Sequence, residues 1–208
     1  MSNEVKTKEK IDMDPKYLIK LSVTLFLTCV IVAGMLGAVN KVTLPNITKA
    51  NEEKTAEAIQ KVLPDLEGSP ASLEVTEEMT AAAAGAGATI TEAYEAQAGG
   101  ATIGYALKVV ASGSQGNIEM MVGIDTEGVV TGVSIVTNSE TKGIGSKVMN
   151  GDPLPSGTGV LEQFEGKSAA DGTLSVGSNV DAITGATVST RGVTTGVNAA
   201  LAVAAVMG

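Results

Sequence analysis

Histidine is absent from this chain of 208 residues, and cysteine and arginine occur once each, as Cys29 and Arg191. The first absence removes Ser-His-Asp and Cys-His catalysis and most transition-metal sites. A lone cysteine can neither close a disulfide within the chain nor hold an iron–sulfur cluster by itself. Tryptophan is also missing, and the other aromatics are only Tyr17, Phe26, Tyr94, Tyr105 and Phe164. Such a chain offers no base-stacking platform for nucleic acid and little aromatic stacking for any flat ring. No Gly-x-Gly-x-x-Gly unit of the nicotinamide-binding kind is present either.

Basic charge is short as well. The net charge is −9. The first twenty residues carry five Lys against Glu4, Glu9, Asp12 and Asp14, a net of +1, so the remainder carries −10. An acidic body argues against nucleic-acid binding, which needs a basic face. It suits a solvated surface or basic protein partners.

What the chain does have is one long apolar run. Residues 21–39 hold no charge, and Lys20 and Lys41 bracket them. As a helix, that run is roughly 28 Å long, close to the hydrocarbon thickness of a bilayer. The flanking lysines can snorkel to headgroups. A buried helix of a soluble protein and a cleaved signal peptide are the alternatives. The run is longer than a usual signal core and no Ala-x-Ala ends it, so a retained anchor is preferred. More lysines precede the span than follow it closely, which places the N-terminus in the cytoplasm and the rest outside. We divide the chain into a polar tail (1–15), an anchor (16–40), a membrane-proximal helical or linker region (41–99) and an extracytoplasmic domain (100–208).

Within the linker region, residues 52–63 read as an amphipathic helix that Pro64 ends. Residues 81–88 are an Ala/Gly run that can be helix or spacer. Residues 103–110, 118–124 and 129–136 read as strands, with a hairpin turn at Asp125-Thr-Glu-Gly128. Residues 160–164 suit a short helix and 174–176 a short strand. Val193, Val197, Leu201 and Ala205 then mark a closing helix. The expected fold is α+β: one transmembrane helix followed by a small domain with a mainly antiparallel sheet packed by helices.

Two polar stretches stand out. Asp181-Ala-Ile-Thr184-Gly185-Ala186-Thr187 leads directly into the closing helix. Gly185 can take a backbone conformation closed to other residues, Ala186 adds little bulk, and Thr187 presents a hydroxyl where a helix start favours phosphate. An ordinary threonine cap is the competing reading, and Asp181 also suits a turn-stabilising carboxylate. Ser189 and Thr190 can cap the helix or meet a phosphate, and Arg191 can neutralise one or simply sit at the surface. Upstream lies Glu140-Thr141-Lys-Gly143-Ile-Gly145, a glycine-containing loop after the third strand, whose polar residues are equally compatible with an ordinary loop.

Asp-x-x-Thr-Gly-Ala-Thr resembles the flavinylation motif of the RnfG/NqrC family of membrane redox subunits, and the upstream loop resembles that family's Glu-Thr-Pro-Gly-Leu-Gly, with Lys142 in place of proline and Ile144 in place of leucine. The resemblance covers roughly residues 100–207 and the single anchor. It implies FMN held covalently through its phosphate on Thr187, with Asp181, Thr184, Gly185 and Ala186 forming the attachment motif. Asp181 becomes part of what a flavin transferase recognises. Glu140, Thr141, Gly143 and Gly145 then lie beside the flavin. No catalytic residue and no metal is implied. The implied function is electron relay within an Rnf-type ion-translocating ferredoxin:NAD oxidoreductase, among other membrane subunits and lipid. A stand-alone anchored flavoprotein reductase and a non-redox anchored binding module are the alternatives.

Overall fold

The computed structural model describes residues 15–207, so the polar tail 1–14 lies outside the described residues. Two compact units divide the chain, residues 1–51 and 52–208. The helix α1 (Pro15–Val62) begins in the first and ends in the second; it includes an 18-residue window of mean hydropathy 2.2, with none of that window buried. It is long and apolar enough to cross a membrane, and its exposure rules out the buried-core reading. The helix does not stop where the charge-free run stops. It continues through Pro45 to Val62, so the amphipathic helix expected over 52–63 is its last part rather than a separate element.

The second unit is built on a five-stranded antiparallel meander in simple order. Its strands are β1 (Ala71–Leu73), β2 (Ala88–Ala98), β3 (Ala101–Ser112), β4 (Asn117–Asp125) and β5 (Val130–Asn138). The sheet thus begins well before residue 100. Helix α2 (Glu77–Gly85) takes up much of the Ala/Gly run. Alanine is the best helix former, Thr76 accepts a hydrogen bond from the Met79 N–H at 3.2 Å, and Glu77 and Glu78 favour the helix start. Asp125 builds the β4–β5 turn by accepting from the N–H groups of Glu127 and Val129, each at 2.9 Å. Residues 174–176 form no strand of the sheet. The Leu174 N–H and C=O pair instead with the side-chain amide of Asn198, both at 2.9 Å.

Both faces of the sheet are covered. Helices α2 and α4 (Thr187–Met207) cover one face, where Ile90, Leu107, Val109, Ile118, Met120 and Val122 join Val193, Val197 and Leu201 in the main core. Ala205 of the expected apolar row is exposed. The close of α1 covers the other face, where Ala58, Ile59, Val62 and Leu63 meet Ala96, Ala106 and Met121. Double coverage explains why 120–124 is buried without alternation. Glycines set how closely these layers approach. A β carbon on Gly123 would stand 2.6 Å from the Val62 carbonyl oxygen, and its strand partner Gly132 faces Val62 as well. Thr131 donates to that same carbonyl at 2.6 Å. On the opposite face, a β carbon on Gly192 would lie 2.7 Å from the Ser112 carbonyl oxygen, and one on Gly196 would meet the Met120 side chain.

One ion pair lies under the end of α1. Lys108 is 8 % exposed; its Nζ donates to Glu92 at 2.9 Å and to Thr55 at 3.4 Å, and the Tyr94 hydroxyl donates to Glu92 at 2.7 Å. Burial acts to raise the Glu92 pKa, but the hydrogen bonds from Tyr94 and Lys108 and the lysine charge together hold it below its ordinary 4.5. Burial first, then the bond to Glu92 and its charge, push Tyr94 from 10.0 up to about 12. A proton held more tightly in the folded state stabilises the fold while the unfolded group is also protonated, and that gain is lost on ionisation. The parent's stability advantage over Tyr94→Phe is therefore expected in full below pH 10.0 and should fade as pH rises toward about 12. Denaturant midpoints of both proteins across that range measure it.

Candidate flavin-attachment site

The Asp181–Thr187 stretch enters α4 through a tight turn. The Ala186 N–H donates to the Ile183 carbonyl at 2.9 Å, Gly185 takes φ +84°, and the Thr190 N–H donates to the Ala186 carbonyl at 2.9 Å. Ala186 thus occupies the cap position, and its side chain has no acceptor to offer. Among the described residues, the N–H groups of Thr187, Val188 and Ser189 have no hydrogen-bond acceptor. Three unpaired N–H groups at the start of a 21-residue helix favour an anion. This donor set fits the phosphate of FMN.

The hydroxyls nearby fall into two groups. Thr184 and Thr187 are exposed, as is Asp181. Ser189 and Thr190 are buried and engaged: Ser189 Oγ donates to Glu140 at 2.5 Å and Thr190 Oγ1 to the Ala186 carbonyl at 3.1 Å. They serve the helix and are not available to a phosphate. Arg191 is exposed one turn after Thr187 and on the same side of the helix. A cleft of about 530 Å³ lies between α2 and the second half of α4, lined by Ala82, Asn198 and Leu201 among others, and the motif takes no part in it. Thr187 instead stands at open surface.

The upstream loop divides in the same way. Glu140 is buried, and its carboxylate accepts from the Ser114 N–H at 2.7 Å, the Gln115 N–H at 3.2 Å and Ser189 Oγ. Gly145, the first residue of the short helix α3 (Gly145–Met149), is buried against Glu140 and Ser189, and a β carbon there would stand 2.9 Å from Ser189 Oγ. Thr141 and Gly143 remain exposed. Gly143 has φ +78° with open space where a side chain would go, so conformation rather than crowding calls for glycine there. Ser146 holds this turn by accepting from the Gly143 N–H at 2.8 Å. The structure therefore joins Glu140, Gly145 and the first turn of α4, and leaves Thr141, Gly143, Asp181, Thr184 and Thr187 facing outward. The sequence reading missed Ser114 and Gln115. The Gly113-Ser-Gln-Gly116 stretch shows as a turn, but nothing in it points to a carboxylate 25 residues away. The reading also missed Gln163, which holds the main chain of Asp181.

Among the described residues, one membrane-length helix and an α+β domain with an open anion cradle fit a membrane-anchored protein that holds an anionic group. Residues 113–202 match the family model of the FMN-binding domain, and FMN is the cofactor of that domain. Across 96 % of its length the chain is 34 % identical to the G subunit of the Na(+)-translocating ferredoxin:NAD(+) oxidoreductase complex of Acetobacterium woodii, covering 97 % of that protein. It is 31 % identical to the G subunit of the ion-translocating oxidoreductase complex of Shewanella baltica, over 84 % of this chain and 83 % of that one. With the G subunit of the ion-translocating oxidoreductase complex of Methanosarcina acetivorans the identity is 28 %, over 90 % and 95 %. The chain belongs to the RnfG/NqrC family of electron-transfer subunits.

Removing the Glu140 carboxylate should loosen this region before anything else. Glu140→Ala leaves two main-chain N–H groups and one hydroxyl without their acceptor, and should lower stability by about 3 kcal/mol. Glu140→Gln keeps an acceptor for the N–H pair and should cost about 1 kcal/mol. Denaturant unfolding of the three proteins gives both numbers.

Proposed function

We propose that this protein carries FMN esterified through its phosphate to Thr187 and relays electrons within an Rnf-type ion-translocating ferredoxin:NAD oxidoreductase. The supporting observation is the pairing of an exposed Thr187 hydroxyl with an uncapped helix start, while the neighbouring Ser189 and Thr190 hydroxyls are already used. The three open N–H groups and Arg191 would face the phosphate. Asp181, Thr184 and Gly185 form the exposed surface read by a flavin transferase, with the buried Ala186 setting the helix start behind them. Thr141 and the main chain around Gly143 lie beside the flavin, and the exposed side chains of Ile144 and Val188 offer it apolar surface in place of aromatic stacking. Bound FMN supplies the redox chemistry; the chain supplies position, tethering and an acidic surrounding. Glu140 and Gly145 act beneath the site by joining the loop to α4. Partners are the other membrane subunits of the complex, which form the ion path that one span cannot form.

Two measurements test this reading. In protein exposed to a flavin transferase, intact mass should show one FMN added with loss of water, and fragmentation should place it within 181–191 on Thr187. Thr187→Ala should stay folded and lack the adduct; an undiminished adduct in that variant, or none in the parent, would reject the proposal. The lysine bias around the span supports residues 41–208 lying outside the cytoplasm, and the uninterrupted apolar run supports residues 21–39 staying in the mature protein. External protease on intact cells should then digest the domain. A fully protected domain, or a mature chain beginning beyond residue 39, would reject that placement.

A further inference from the structure

Asp181 opens the attachment motif, yet no strand or helix holds its main chain. Its N–H donates to Gln163 Oε1 at 2.8 Å, and its carbonyl accepts from Gln163 Nε2 at 3.0 Å. The same Nε2 donates to the Val160 carbonyl at 2.8 Å. A primary amide carries a donor and an acceptor side by side, so it can pair with both main-chain groups of one residue as a neighbouring strand would. No other side-chain type of similar length does so with one flat group. Gln163 is itself well anchored. It belongs to the 3-10 turn Glu162–Phe164, whose Phe164 side chain is fully buried. The chain just beyond pairs with the start of β5, through Gly166 N–H to the Val130 carbonyl and Val130 N–H to the Lys167 carbonyl, both at 2.8 Å. Asn198 pairs with Leu174 in the same manner, so two side-chain amides frame the segment that leads into the motif. The Asp181 carboxylate is left exposed, with no hydrogen bond or ion pair among the described residues.

We propose that Gln163 is a positioning residue for flavin attachment: it fixes the main chain of Asp181 so that this carboxylate is offered to the modifying enzyme at a set place ahead of Thr187. The inference rests on Thr187 being the acceptor. In the reaction it serves, Thr187 Oγ1 forms a bond to the phosphorus of a flavin phosphoanhydride donor. The anhydride P–O bond breaks, the phosphate leaving half departs, and the hydroxyl proton passes to the enzyme or solvent. Gln163 touches none of these atoms. Its effect falls on recognition, because α4 and not Gln163 sets the place of the threonine hydroxyl.

The test compares full-length parent, Gln163→Leu and Gln163→Glu as substrates of the flavin transferase. Gln163→Leu removes both bonds, and Gln163→Glu keeps the acceptor while setting a carboxylate oxygen against two carbonyls. Loss of the pair should raise KM for the protein substrate roughly tenfold or more, with kcat within about twofold of the parent. Hydrogen exchange at the Asp181 amide should speed up in both variants, with α4 and the sheet unchanged. Unchanged KM alongside a freed Asp181 amide would overturn the inference. So would a loss of attachment accompanied by faster exchange throughout α4, which would mark general loosening instead. Parent protein that gains no adduct on Thr187 would reject the acceptor assignment, and this inference with it; parent with adduct and variants modified like it would reject this inference alone.

Discussion

One buried carboxylate holds the functional end of the domain together. Glu140 follows β5, accepts two main-chain N–H groups from the β3–β4 turn, and accepts the hydroxyl of Ser189 in the first turn of α4. Three segments distant in sequence thereby share one acceptor group. Charged acceptors make the stronger hydrogen bonds, and burying such a group is tolerable only when it is well satisfied. That requirement explains the glycines around it. A β carbon at Gly113 or Gly145 would run into the Glu140 side chain. The loop geometry thus follows from the need to surround one carboxylate with donors, and the exposed Thr141 and Gly143 take their places as a result.

The same economy of side-chain volume operates across the sheet. Glycine inside a helix costs about 1 kcal/mol relative to alanine, yet α4 carries Gly192 and Gly196 at the points where it meets β3 and β4. The return is close contact between helix and sheet, with Met120 packed against Gly196. On the other face, Gly123 and Gly132 form a paired slot for Val62. Position is therefore set by backbone approach rather than by large interlocking side chains, which suits a chain this poor in aromatics. Phe164, one of the few, is spent in the core and anchors the turn that carries Gln163.

Much of this is legible in the sequence because it is local. The anchor follows from nineteen uncharged residues, the last three strands, β3, β4 and β5, from β-branched runs between turns, and the start of α4 at Thr187 from a glycine turn leading into an apolar repeat. The parts that escape depend on partners far along the chain. Glu140 reads as a loop residue because its donors lie in a turn before β4. Residues 174–176 read as a strand because Leu174 and Val176 flank Ser175 in alternation, but the Leu174 main chain is satisfied by the Asn198 amide and the Ser175 N–H by Asn179, and no periodicity reveals that. The helix α1 reads as shorter than it is because the end of an apolar run marks the end of a membrane span, and nothing requires the helix to stop there.

The start of α4 gives the last step. The chain caps the nine-residue α2 with Thr76, whose side chain takes up the Met79 N–H. The 21-residue α4 begins instead behind Ala186, although threonines stand at 184 and 187. A proper cap is worth about 1 kcal/mol, and the longer helix forgoes it. A Thr, Ser or Asp at 186 would have filled the N–H cradle with its own oxygen and placed a polar atom where Ala186 is now buried. On the proposed reading, the phosphate on Thr187 is that missing acceptor, delivered after folding. Attachment of the cofactor and completion of the helix are then one event, and the unsatisfied end is what makes the site ready for an anion.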